Sequence, residues 1–166
     1  GLEWSGLEWN GKEWNGMQGW NEMWAKILPL HCSLGDRARS NRNKGIEEVN
    51  QMSPLTWAYV GDCVYELYIR TKLVDTTKLK PHELHIKSIK YVKAQAQAET
   101  LKKLETILTE EEKEIVRRGR NTQTHHIAKN ASMQDYMYAT AFEALIGYLY
   151  LTKQDDRLFE MMKMES

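Results

Sequence analysis

The chain is poor in several features that would classify it quickly. Its 166 residues include only two cysteines, Cys32 and Cys63. They stand in different contexts at no metal-ligand spacing, which supports neither a disulfide scaffold nor a zinc knuckle and fits a reducing cytoplasm. There is no surplus charge: 23 basic and 23 acidic residues cancel. The whole-chain field therefore argues for neither nucleic acid nor membrane, and any such partner has to be sought in local patches. Strand-like alternation is nearly absent and no Gly-rich phosphate loop is found. The apolar run near residue 140 is interrupted by Glu143 and falls short of the ~20 residues that cross a bilayer, so no membrane span is expected. No positively charged leader with an apolar core opens the chain, and a secretory signal is not expected. At 42% hydrophobic and 28% charged residues, what remains is the composition of one globular domain.

Composition shifts along the chain. Five of the six tryptophans fall within the first 24 residues, in a loose five-residue repeat that matches neither a helix face nor a strand. A polar, basic stretch follows, and residues 1–44 read as a Trp/Gly-rich tail and linker outside the working domain, which is placed at 45–166. Within that domain the signals are helical. Ser53-Pro54 is an N-cap with proline at the first helical position, opening a helix to about Lys72. Pro81 opens a second over 82–105. Thr109 and Glu112 have capping-box spacing for a short helix that Gly119 is placed to end. After a loop, a helix covers about 133–152 and a last one 154–163. The fold class is all-α, a compact bundle of five helices.

Two of these helices pose a question. WAYVGDCVYELYIR, residues 57–70, carries Asp62 and Glu66 in an otherwise apolar run, and YMYATAFEALIGYLYLT, 136–152, carries Glu143 alone. At ~100° per residue Asp62 and Glu66 share a face, with Val60, Val64 and Leu67 on the opposite side. Gly147, one turn beyond Glu143, lets another backbone or a ligand come close. Burying a lone carboxylate costs several kcal/mol unless a cation or hydrogen bonds compensate. Arg or Lys partners would serve, and so would a hard divalent ion such as Mg²⁺, which takes oxygen ligands and keeps several waters. Spacing alone leaves both readings open, because solvated helices often carry acids one turn apart.

Other chemistry is thinner. HELH, with His82 and His85 three apart, lacks the HExxH spacing of zinc proteases, and His125 and His126 lie in the expected loop. Two basic regions carry more weight. Residues 78–103 hold seven lysines against Glu83 and Glu99, and RRGRN puts Arg117, Arg118 and Arg120 before a loop reaching Lys129. Duplex RNA is read largely by shape and backbone, which suits Lys and Arg without a row of aromatics, although a solvated charged face is the commoner origin of such clusters.

Taken in order, AYVGDCVYE, KAQAQAE (93–99), RRGRN (117–121), KN (129–130) and TAFEALIGYLYL resemble the ribonuclease III endonuclease-domain family, in particular its small bacterial Mini-ribonuclease III subgroup, which lacks a double-stranded RNA-binding domain. The resemblance spans about 46–160. It implies an all-helical homodimer that cuts both strands of duplex RNA with Mg²⁺, for which Mn²⁺ can substitute, and a role in maturing large-subunit (23S) ribosomal RNA precursor, with a ribosomal protein as a possible partner. Asp62 and Glu143 match the family's catalytic, metal-binding acids. Larger members have acids where this chain has Ala58 and Thr140, and Glu66 is a further metal-ligand candidate that would supply part of the missing charge. The implied RNA contacts are Lys87, Lys90, Lys93, Arg117, Arg118, Arg120, Asn121 and Lys129, and the implied dimer element carries Tyr59, Val60 and Cys63. THHIA at 124–128 departs from the subgroup's smaller, Gly-containing stretch. The rival readings are a non-catalytic RNA-binding or ribosome-associated protein on the same fold, and a helical interaction module using the Trp-rich tail.

Overall fold

The computed structural model describes residues 42–122 and 132–164, and the chain divides into two units, Gly1–Asn43 and Lys44–Ser166. The second unit is described below. The Trp-rich repeat, His125, His126, Asn130 and Lys129 lie outside the described residues.

Every regular element among the described residues is a helix: α1 Ile46–Asn50, α2 Pro54–Thr76, α3 Pro81–Val92, α4 Ala94–Leu104, α5 Glu110–Arg120, α6 Met133–Leu151 and α7 Asp155–Lys163. Local chemistry sets most of the starts. The Ser53 hydroxyl accepts from Leu55 N–H with Pro54 at the first position, which satisfies an amide no helix partner can reach. Thr109 and Glu112 form the expected capping box. Ser132 caps α6 by accepting from Asp135 N–H.

Four boundaries differ from expectation. The short α1 carried too weak a pattern to be read. α2 runs on to Thr76, where the Thr77 side chain and backbone both return to the Leu73 carbonyl. The helix expected over 82–105 is two helices, because Lys93 is extended (φ −64°, ψ 150°) and turns the chain between α3 and α4. α5 passes Gly119 and ends at Arg120, and Gly119 instead faces α6, where an added Cβ would lie 2.9 Å from Ala141 Cα.

α6 is the central element. From Ala139 to Leu149 every residue but Glu143 is buried, so its near-continuous apolarity marks a helix covered on all sides. No helix among the described residues is long and apolar enough to cross a membrane. α2, α4 and α5 pack around it. α2 meets it along Trp57, Gly61, Tyr65, Ile69 and Leu73, a four-residue spacing. Edge-to-face ring pairs bracket this contact, Trp57 on Tyr148 at 5.3 Å and Tyr65 on Phe142 at 4.8 Å, a preferred aromatic geometry. Between them the backbones touch. A Cβ on Gly61 would overlap the Glu143 carbonyl oxygen, and one on Gly147 would overlap the Trp57 carbonyl oxygen.

Two polar clusters hold the periphery. The Tyr148 hydroxyl lies 2.8 Å from both Asn50 Oδ1 and Glu111 Oε1, tying α1, α5 and α6 together. Burial, then the neighbouring Glu111, push this phenol up to about 12. Arg157 donates to both Glu112 oxygens (2.8 and 3.0 Å) and to the Ile107 carbonyl (2.7 Å), fastening α7.

The crossing makes Gly61→Ala and Gly147→Ala destabilising by about 1–3 kcal/mol each or more. Gly45→Ala, with nothing within 4 Å of an added Cβ, should be nearly neutral. Denaturant midpoints of the three variants check this ordering.

Candidate metal and nucleic-acid site

The glycine crossing fixes where two acids lie. Gly61 abuts the backbone of Glu143, and Asp62 is the next residue along α2. Across this contact the Asp62 carboxyl acts on that of Glu143, 81 positions away in sequence, through its charge and a side-chain hydrogen bond, so the two groups are neighbours. Glu143 as a residue keeps some exposure, but its carboxyl group is buried. Its pKa is pushed up from the usual 4.5 to about 8, first by burial and then by the negative charge of Asp62, while the Gln97 amide acts in the opposite direction.

A pair of oxygen donors held together against their own repulsion fits a hard cation. Mg²⁺ commonly uses only one or two carboxylates and fills its remaining positions with water and phosphate oxygens. Among the described residues no group of three or more His, Cys, Asp or Glu comes together. Glu66 is accordingly not gathered into the pair. One turn along α2 from Asp62, it forms an ion pair with Arg70 (2.6 Å), which answers its charge locally. Ala58 and Thr140, where acids stand in larger members, are both buried. His82 and His85 are exposed on the first turns of α3 and join no third ligand.

The basic residues divide by what they touch. Lys87 and Lys90 line a shallow cleft on α3 with Glu83, Ile86 and Tyr91. Lys93 is exposed at the α3–α4 turn. Arg117 is exposed and paired with Glu114 (2.7 Å). Arg118 is drawn inward. Its guanidinium stacks on Trp57 at 4.5 Å and donates to the Asn50 and Met52 carbonyls (2.9 and 3.3 Å), fixing the α1–α2 corner. Arg120 lies over Tyr138 at 5.7 Å, and Lys102 lies over the same ring at 5.5 Å. Asn121 is exposed at the end of α5.

On α2, Tyr59 (68% exposed) and Leu67 (60%) stand in an exposed row with Cys63, and Val60 is half-buried beside them. Gln97 has no role in the sequence reading. It is buried on α4, and its sequence signals are its place in the KAQAQAE stretch and its position as a polar residue between Ala96 and Ala98.

The sequence matches the family model described as Ribonuclease III domain over residues 55–154. It is similar to proteins named Mini-ribonuclease 3. The Clostridium tetani protein is 48% identical over 119 residues, covering 71% of this chain and 79% of that one. The Thermoanaerobacter protein is 49% identical, with coverage of 71% and 83%, and the Staphylococcus aureus protein 45%, with 70% and 88%. Among solved structures, a Fusobacterium nucleatum protein matches with a TM-score of 0.64 at 29% identity, covering 70% of this chain and 93% of that one.

The raised Glu143 pKa makes metal-free stability depend on pH. Between about 4.5 and about 8 the folded state holds a proton that the unfolded state has released. This contribution is present at low pH and is lost as pH rises through 8. In chelator at pH 9, Glu143→Gln should therefore be more stable than the parent, by more than the roughly 1.4 kcal/mol of one pKa unit. At pH 4 the two should converge. Urea melts at both pH values measure the difference.

Proposed function

The chain belongs to the ribonuclease III domain family and is an endoribonuclease of that family, and from this premise we propose that it cleaves double-stranded RNA with Mg²⁺ held by Asp62 and Glu143. The observation that carries the reading is the convergence of these two carboxyl groups at the α2–α6 crossing, one of them buried. When bound, Mg²⁺ (or Mn²⁺) supplies a nucleophilic water of lowered pKa and stabilises the charge developing on the scissile phosphate. Asp62 and Glu143 would anchor the ion, and the crossing holds the two backbone segments that carry them close together. The products carry 5′-phosphate and 3′-hydroxyl ends.

RNA is held by Lys87, Lys90, Lys93, Arg117, Arg120, Asn121 and Lys129, with Arg118 acting through the corner it fixes. The exposed Tyr59, Cys63 and Leu67 row, with Val60, is the face of a two-fold dimer that sets two sites across one duplex. Avidity within that dimer strengthens the hold on the duplex. Large-subunit ribosomal RNA precursor is the proposed substrate, in the cytoplasm, with a ribosomal protein as possible helper. Residues 1–44 stand outside the catalytic unit.

An end-labelled RNA duplex incubated with Mg²⁺ tests this reading. Cutting should be duplex-specific, stop in EDTA, fall by at least about 10³-fold in Asp62→Asn, and survive deletion of residues 1–44. Leu67→Arg should give monomers by light scattering and lose paired cuts. Duplex binding without cutting by folded, dimeric protein would instead establish a non-catalytic RNA-binding role.

A further inference from the structure

Gln97 is a buried polar residue to which the proposed metal site assigns no part. It lies 2% exposed on α4, next to the fully buried Ala98 and Leu101. Its Nε2 is sealed from solvent and makes no hydrogen bond of full geometry. An orphaned buried amide costs on the order of 1–3 kcal/mol and calls for an explanation. The acid within its reach is Glu143, whose ionised form its N–H group favours.

We propose that Gln97 is the positioning residue of the site, its amide holding one Glu143 oxygen so that the other faces the position shared with Asp62. The proposal rests on the metal reading given above. A carboxylate on a long side chain has three torsions to fix, and acids that bind metals are themselves hydrogen-bonded by outer partners that set their orientation. A neutral amide suits this task better than a cation would. Lys or Arg at position 97 would neutralise Glu143 and compete with a divalent ion, whereas an amide orients the carboxylate and leaves its charge available.

The fold is arranged to deliver this group. The extended Lys93 ends α3 and redirects the chain, so that α4 packs against α6. Without the break at Lys93, one helix over 82–105 would place position 97 differently with respect to α6.

The test compares the full chain with Gln97→Met and Gln97→Leu, which retain most of the volume and lose the amide, and with Glu143→Gln. Mn²⁺ affinity is read by calorimetry and duplex cleavage by single-turnover kinetics. Folded Gln97 variants should bind Mn²⁺ about tenfold more weakly or worse and lose kcat at an unchanged KM for RNA. Parental Mn²⁺ affinity and kcat in either folded variant would overturn the proposal. So would unfolding of both variants, which assigns Gln97 to packing. If Glu143→Gln itself binds Mn²⁺ like the parent, the two-carboxylate reading fails and this proposal with it. If only the Gln97 variants behave as the parent, the site stands and its positioning residue is elsewhere.

Discussion

The contact on which the rest of the molecule depends is the backbone-on-backbone crossing of α2 and α6 at Gly61 and Gly147. Helices usually pack through side chains with axes 8–10 Å apart. Here each glycine sits against the other helix's carbonyl, so a side chain at either position would force the helices apart. The ring pairs on either side, Trp57 with Tyr148 and Tyr65 with Phe142, clamp the approach. Close crossing is costly in sequence freedom, since only glycine fits at two positions. What it gives in return is a pair of acids on two helices held within mutual reach by main chain rather than by flexible side chains.

The electrostatics follow from that geometry. A carboxyl forced into a buried place beside a like charge resists ionisation, and the Glu143 pKa near 8 expresses this. Several other acids among the described residues are answered locally by a cation. Glu66 has Arg70, Glu114 has Arg117, and the buried Glu112 has Arg157, with the Glu112 carboxyl held below its usual range by the Arg157 and Thr109 hydrogen bonds despite the opposing cost of burial. Against that background, the Asp62–Glu143 pair is where like charge is kept together and a buried amide is left with an unmet N–H. Strain of this kind is commonly stored at functional sites.

Much of the architecture was legible because local rules and tertiary demands agree. Ser53-Pro54, the Thr109–Glu112 box and the apolar run after residue 133 each announce a helix that the fold contains. Gly147 announced a close approach. Legibility failed where tertiary contacts set the backbone. Nothing local stops a helix at Lys93, which is extended because α4 has to turn towards α6. The core face of α2 could not be told from its sequence. Val60, Val64 and Leu67 share a side on a helical wheel, yet the buried stripe is Trp57, Gly61, Tyr65, Ile69 and Leu73, because aromatic rings and a glycine make that contact. Of the site residues, Asp62 and Glu143 stood out as acids in apolar helices. Glu66 stood out equally, but its partner is Arg70. Arg118 read as part of a basic cluster, while its guanidinium holds the α1–α2 corner. Gln97 lies within the KAQAQAE stretch that carries the resemblance, but it is uncharged and set among alanines, and its burial became visible only in the assembled fold.

If the crossing builds a cation site between Asp62 and Glu143, a divalent ion should be found bound there. Anomalous diffraction from crystals soaked in Mn²⁺ addresses it most directly. An anomalous peak bonded to one oxygen of Asp62 and one of Glu143 is expected. Mn²⁺ bound only elsewhere, for example at His82 and His85, with these two carboxyl groups left uncoordinated, would contradict it.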